Sequence, residues 1–234
     1  MPASINMATP DVKVRPARLF EAYAEAQRYL NGVGSLNYAL EQLVADLKNH
    51  DIDYVVIGAV ALFAHGYRRF TNNIDIVLTD EGLKRFVTPI GGRSPQTLCN
   101  YDADITSNKR VRSFPHGISI KVMTSGEYPG DGRPKPVSMP EPTAAALEID
   151  GIKFVTLEKL VELKLASGIT APDRLKDLAD VQELIKVRAL PPEFTERLDP
   201  YVRDKFLELL ESVEKARLVE ERDTLRVQEL EDEH

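Results

Sequence analysis

The stretch RRFTNNIDIVLTD, Arg68 to Asp80, puts Asn73 and Asp75 at alternate positions of an apolar, strand-like run. Alternate residues of a β-strand project from one face. Two carboxylates so placed can share divalent metal while a triphosphate completes the coordination sphere. Only Asp75 is acidic here, and Asn73 offers a neutral oxygen at best. On the residues alone, a salt bridge or a turn role for Asp75 competes with metal ligation.

A second chemical signal lies upstream. DYVVIG reads as a buried strand ending at Gly58, and AVALFAHG reads as a helix stopping at Gly66. A glycine at such a strand-to-helix turn lets a phosphate approach the backbone, and the helix start favours an anion. Tight strand-to-helix packing is the alternative reading of Gly58. His65 is read as a packing or helix-end histidine rather than a substrate contact. Arg68 and Arg69 are either solvated or placed to grip phosphates.

The elements that must carry these residues follow from apolar spacing. ARLFEAYAEAQRYLNG has a helical stripe, and LNYALEQLVADLKNH has another, with Ser35 as its expected cap. NIDIVLT alternates, with Ile74, Ile76 and Leu78 on one face and Asp75 and Val77 on the other. ISIKVMT puts Ile118, Ile120 and Val122 on one face and Lys121 on the opposite one. GEYPGDGRPKPVSMPEP, rich in Gly and Pro, reads as an extended, ordered loop. A brief strand in IKFV leads into a helix capped by Thr156, and PDRLKDLADVQELIKV is a further helix ended by Pro191-Pro192. From Asp199 and Pro200 a long charged helix carries the stripe Val202, Phe206, Leu209 and Val213. Residues 88–116 carry no legible pattern.

The expected class is therefore α+β: a small mixed sheet flanked by helices, with a C-terminal helical extension. The divisions are a flexible N-terminal segment and helix over residues 1–34, a core over 35–155 and a helical region over 156–234.

Composition narrows the function classes. The 234 residues are 43% hydrophobic and 29% charged, ordinary for a globular protein. No apolar run is long enough for a membrane span, and the first twenty residues lack the apolar core of a secretory signal. A single cysteine, Cys99, leaves no internal disulfide and fits a reducing cytoplasm. A net charge of -7 argues against broad electrostatic coating of nucleic acid, although a local basic groove is compatible with it. The acidic end, ELEDEH, reads as a solvated tail.

VVIGAVALFAHGYRRFTNNIDIVLTD resembles the signature of the minimal nucleotidyltransferase superfamily, the DNA polymerase β-like fold: a strand ending in glycine, a helix, a basic residue and Thr, then Asp-x-Asp on the next strand. MTSGEYPGDGRPKPV and LVELKLASGITAPDRLKDLADVQELIK are similar to uncharacterised bacterial nucleotidyltransferase-like proteins, and the resemblance spans roughly residues 36–190. It implies a phosphate-binding turn at Gly58, although Ala59 stands where a second Gly or Ser is usual. It implies nucleotide contacts from Arg69 and Thr71, and a metal role for Asp75 as the second carboxylate.

Asn73 replaces the first carboxylate, and Lys121 stands where the third is expected. Lys164, Arg174, Lys176, Asp177 and Asp180 match the helical motifs that would contact the nucleotide or its acceptor. A surface ion-pair network, including Arg174 with Asp177, is the competing reading of those five.

Replacing two of three carboxylates with an amide and a cation moves the local charge strongly positive. Each unit-charge interaction at about 4 Å is worth on the order of 4 kcal/mol at an effective dielectric near 20. Such a change is expected to abolish ordinary two-metal catalysis and to let Lys121 hold a phosphate directly. Asp80, Glu127 and Asp131 are the acids that could rebuild a metal site.

The expectation is a nucleotidyltransferase-fold protein with little or no transferase activity, weak or absent Mg2+, and a bound nucleotide, RNA or protein partner. The alternatives are an active Mg2+-dependent enzyme moving NMP from an NTP to protein or RNA, and an antitoxin-like or structural interaction protein. The long C-terminal helix is a candidate oligomer contact, and no membrane partner is expected.

Overall fold

The computed structural model describes residues 16–87, 101–104, 110–113 and 117–232. In chain order the elements are α1 (Pro16–Leu30), α2 (Ser35–Asn49), β1 (Tyr54–Ile57), α3 (Gly58–Ala64), β2 (Asn73–Leu78) and α4 (Asp80–Val87). They continue with β3 (Tyr101–Asp104), β4 (Arg110–Ser113), β5 (Ser119–Thr124), β6 (Ala146–Ile149) and β7 (Ile152–Val155). The helices α5 (Leu157–Thr170), α6 (Leu175–Arg188) and α7 (Pro200–Asp232) complete the described chain.

One mixed sheet, ordered β3-β4-β5-β2-β1-β7-β6, runs through the middle. Strand β2 pairs antiparallel with β1 and parallel with β5, so the two chemically marked strands lie side by side at its centre. Their burial repeats in step. Ile74, Ile76, Ile120 and Val122 are buried, whereas Asn73, Asp75, Ser119 and Lys121 are only partly buried on the other face. That alternation is the period-two pattern read from the sequence. It fixes the register, because a one-residue slip would exchange an apolar row for a polar one.

Helix α2 buries Leu36, Ala39, Leu40, Leu43, Val44 and Leu47 into the core. Its cap differs from the expectation. Gly34 is the N-cap, and Ser35 is the first helical residue, its hydroxyl donating to Glu25 of α1. The nearby α1 carboxylate draws Ser35 away from capping its own helix. Of the N-terminal division expected over residues 1–34, residues 1–15 lie outside the described residues, as do Glu233 and His234 of the C-terminal ELEDEH. Cys99 lies outside them as well. Within the illegible region, β3 and β4 extend the sheet as an antiparallel pair beside β5. Strand β6, which the sequence reading passed over, forms a hairpin with β7.

The Gly/Pro-rich segment 126–142 is ordered, as expected. It is pinned by backbone bonds from Gly126 to Met139 (2.9 Å) and from Met139 to Glu127 (2.7 Å), and it buries Val137 and Met139. Gly130 rests directly on α5: a Cβ there would meet Thr170 Oγ1 at 2.3 Å and the Ser167 carbonyl at 2.9 Å.

Helix α6 ends at Ala189 in the left-handed conformation, just before Pro191-Pro192. On α7, Val202, Phe206 and Leu209 are buried and Val213 is partly buried, so the expected stripe packs against this chain's own core. Beyond it, Leu218 and Val219 are exposed. Among the described residues, no helix is long and apolar enough to cross a membrane.

Candidate functional site

Two adjoining hollows of about 440 and 740 Å3 share Gly58, Asp75, Lys121, Lys164, Arg174 and Asp177, and together form one cleft. Its floor is the polar row of β2 and β5. One wall is α5 with the start of α6, and the loop residues Glu127, Tyr128, Pro129 and Gly130 line the smaller lobe. Ala59, Arg69, Phe70, Thr71 and Lys176 line the larger one.

On the floor, a hydrogen-bond chain runs along β2. The Thr71 hydroxyl donates to Asn73 Oδ1 at 3.1 Å, and Asn73 Nδ2 donates to Asp75 Oδ1 at 2.7 Å. The Asp75 carboxylate, an acceptor when ionised, fixes which way the amide points, so Asn73 turns its N–H to Asp75 and its oxygen to Thr71. Across the ladder, Lys121 is the register partner of Asp75. Burial raises the Asp75 pKa above its ordinary 3.8, against the opposing pull of Lys121, the Asn73 bond, Lys164 and Arg174.

The other carboxylate oxygen sits over Gly58. A Cβ on Gly58 would stand 2.3 Å from Asp75 Oδ2, and its φ of +69° is itself a glycine conformation. Glycine here accommodates the carboxylate of the next strand, a reason that neither reading of Gly58 from sequence included.

The wall is built differently. Lys164, on α5, donates to Asp177 (3.0 Å) and Asp180 (2.6 Å) of α6, and all three are buried. Arg69 grips Asp180 through Nε (2.7 Å) and Nη2 (2.8 Å), a two-pronged pair that ties the segment before β2 to α6. Ser167 donates to Asp177 at 2.7 Å, and Arg174 Nε reaches the same oxygen at 3.0 Å. Burial works to raise the Asp177 pKa, but Lys164, Ser167 and Arg174 outweigh it and leave it below the ordinary value. Four of the five helical-motif residues thus form an ion network, as the competing reading had it, and that network is largely buried. Lys176 stands apart, exposed on the rim with no ion-pair partner among the described residues.

Of the remaining candidates, His65 is buried, with Nε2 2.7 Å from the Val155 carbonyl, and burial lowers its pKa. Arg68 lies over the Phe63 ring at 5.0 Å. Asp80 begins α4 and is exposed, and Asp131 pairs with Lys135 at 2.6 Å; neither lines the cleft. Glu127 does line it and accepts a bond from Thr124 at 2.7 Å. Sequence reasoning missed Ser167 and Phe70. Ser167 is a small polar residue in a helix, legible only once α6 is docked. Phe70 is an aromatic flanked by Arg69 and Thr71.

The floor by itself holds fewer oxyanions than a magnesium pair takes. A Mg2+ pair on a triphosphate needs several oxygen donors of net negative charge in octahedral arrangement. The floor offers one carboxylate, already engaged by an amide N–H and faced by a lysine. Among the described residues, no group of three or more His, Cys, Asp or Glu side chains is placed to hold a metal ion. The larger lobe is instead lined by five cations and three carboxylates, and Lys121, like Lys176, has no ion-pair partner among the described residues.

No protein-family model matches the chain, and no curated protein matches it. Solved structures with similar folds exist. The Helicobacter pylori protein JHP933 is 17% identical, with 84% of this chain and 97% of that one covered and a TM-score of 0.40. A second H. pylori structure, named as that of a candidate nucleotidyltransferase, is 17% identical over 76% of this chain and 91% of its own, with a TM-score of 0.42. A Thermotoga maritima protein named likewise is 18% identical over 64% and 88%, with a TM-score of 0.32. These are likenesses of overall fold and carry no residue roles to this chain.

Proposed function

We propose that this chain is a nucleotidyltransferase-fold protein that binds a nucleotide by its phosphates and has little or no metal-dependent transferase activity. The observation that carries the reading is the β2–β5 register. It sets Lys121 beside Asp75 while Asn73 donates to the same carboxylate, so a cation and an amide occupy positions where catalysis would need oxyanions. A lysine ammonium can neutralise phosphate charge as a point cation. Lys176, exposed on the rim, supplies further positive charge at the same cleft.

Calorimetric titration with ATP, GTP, CTP and UTP, with magnesium and with a chelator, tests this directly. At least one nucleotide is expected to bind with similar affinity in both conditions, and α-labelled NTP is expected to leave no label on protein or RNA. Magnesium-dependent labelling abolished by Asp75→Ala would overturn the reading in favour of a working transferase. An RNA or protein partner in place of the nucleotide is the outcome indicated if no nucleotide binds.

A further inference from the structure

Phe70 is 46% exposed, yet it is held firmly at the edge of the larger lobe. Its ring meets Tyr29 edge-on, with centroids 5.9 Å apart and planes at 82°. Tyr29 is itself buried and packed against Phe63 at 5.8 Å. The backbone on either side is fixed too. Arg69 is clamped to Asp180, and Thr71 is bonded to Asn73.

A lone exposed aromatic is ordinary on a protein surface. This one differs because it is rigidly supported and lines the same hollow as Lys121, Arg174 and Lys176. An aromatic face beside a cationic groove suits a ligand with a flat π-system and a polyanionic tail. A hollow of about 740 Å3 is also within the usual range for a small-molecule site.

We infer that Phe70 is the stacking platform for the base of a nucleoside triphosphate whose phosphates lie toward Lys121 and Lys176. The inference rests on the nucleotide reading above and adds to it where the base goes and which side chain holds it. No base-edge group is required by a stack, so discrimination among the four bases is expected to be modest. Asn72, exposed beside Phe70 and lining the same lobe, is the nearest side chain able to bond a base edge.

The test uses the full chain in magnesium-free buffer, titrated with ATP and separately with inorganic tripolyphosphate. Phe70→Ala is expected to weaken ATP about tenfold, the scale of one base–aromatic stack, while tripolyphosphate binding is unchanged. Lys121→Ala is expected to weaken both. Phe70→Trp is expected to keep ATP affinity. Because the chain has no tryptophan, this variant gives a single tryptophan emission, excited apart from the tyrosines, that ATP should perturb and tripolyphosphate should not.

Equal losses for both ligands in Phe70→Ala, or no loss for ATP, would overturn the platform while leaving the anion cleft standing. A wild-type protein that binds neither ligand overturns the nucleotide reading itself.

Discussion

The floor of the cleft and its α5–α6 wall contain the same kinds of side chain in opposite condition. In the wall, Lys164, Arg69 and Arg174 meet Asp177 and Asp180, and each carboxylate accepts from at least two donors. On the floor, one carboxylate is held above its ordinary pKa by burial, and Lys121 acts on it only across the ladder, with no direct ion pair among the described residues. Buried charges that are fully matched hold elements together, whereas charges left unmatched beside a hollow are available to a ligand. Resemblance in sequence did not separate these roles. The motif matched the wall residues as readily as the floor.

Removing the wall's central cation should give the largest effect. Lys164→Met leaves Asp177 and Asp180 buried without their shared partner, and a loss of about 3–5 kcal/mol is expected in denaturant unfolding. A loss below about 1 kcal/mol would mean that the wall is no more structural than the floor.

Gly58→Ala comes next, at about 2–3 kcal/mol, since it combines a left-handed backbone with a collision against Asp75. Repeating it in an Asp75→Ala background should relieve the 2.3 Å overlap with the carboxylate and leave the backbone part and a tight 3.1 Å contact with the Cβ of residue 75. Equal losses in both backgrounds would show that Asp75 does not set the glycine requirement.

A third change exchanges the floor's character. Asn73→Asp combined with Lys121→Asp should create a divalent-cation site absent from the parent. Manganese at ten times its dissociation constant should then stabilise the variant by about 1.4 kcal/mol in thermal melts. No shift would mean that the cleft lacks the geometry for metal whatever its charge.

The smallest effect concerns pH. Asp75 has a raised folded-state pKa, so the folded protein holds this proton more tightly than the unfolded chain. Its contribution to stability is therefore unfavourable above the folded pKa and disappears below the ordinary 3.8. Asp75→Asn should melt slightly higher than the parent at neutral pH, with the gap closing as pH falls through that window. Asp177, whose pKa is lowered, should act oppositely: its favourable contribution holds at neutral pH and fades as pH falls below 3.8 toward its folded value.

Much of this architecture was legible because period-two alternation is a strong signal where one face is buried. Strands β2 and β5 and the facing of Asp75 and Lys121 came from that alone. The strands β3 and β4 did not: YDAD alternates over only four residues with Ala103 as its second apolar position, and RVRS offers Val111 alone. Nor did the β6 strand ALEI, whose residues are exposed or only partly buried.

At the site, the identities of the floor residues were readable, whereas their state was not. That Asn73 donates rather than accepts depends on the Asp75 carboxylate beside it. That Gly58 answers to Asp75 depends on a contact across two strands. The wall's burial depends on how α6 docks on α5, and spacing along either helix does not contain that information.

The in-step pairing of β2 with β5 has one more consequence. Asn73, Asp75, Ser119 and Lys121 occupy the corners of a grid about 4.8 Å across and about 6.6 Å along. Ile74, Ile76, Ile120 and Val122 hold the sheet from its other side. Such a grid behaves like a keypad: any corner can be rewritten among short polar or charged residues without moving a core atom. One backbone can thus present an anionic metal cradle or a cationic phosphate cradle, and a few side chains decide which.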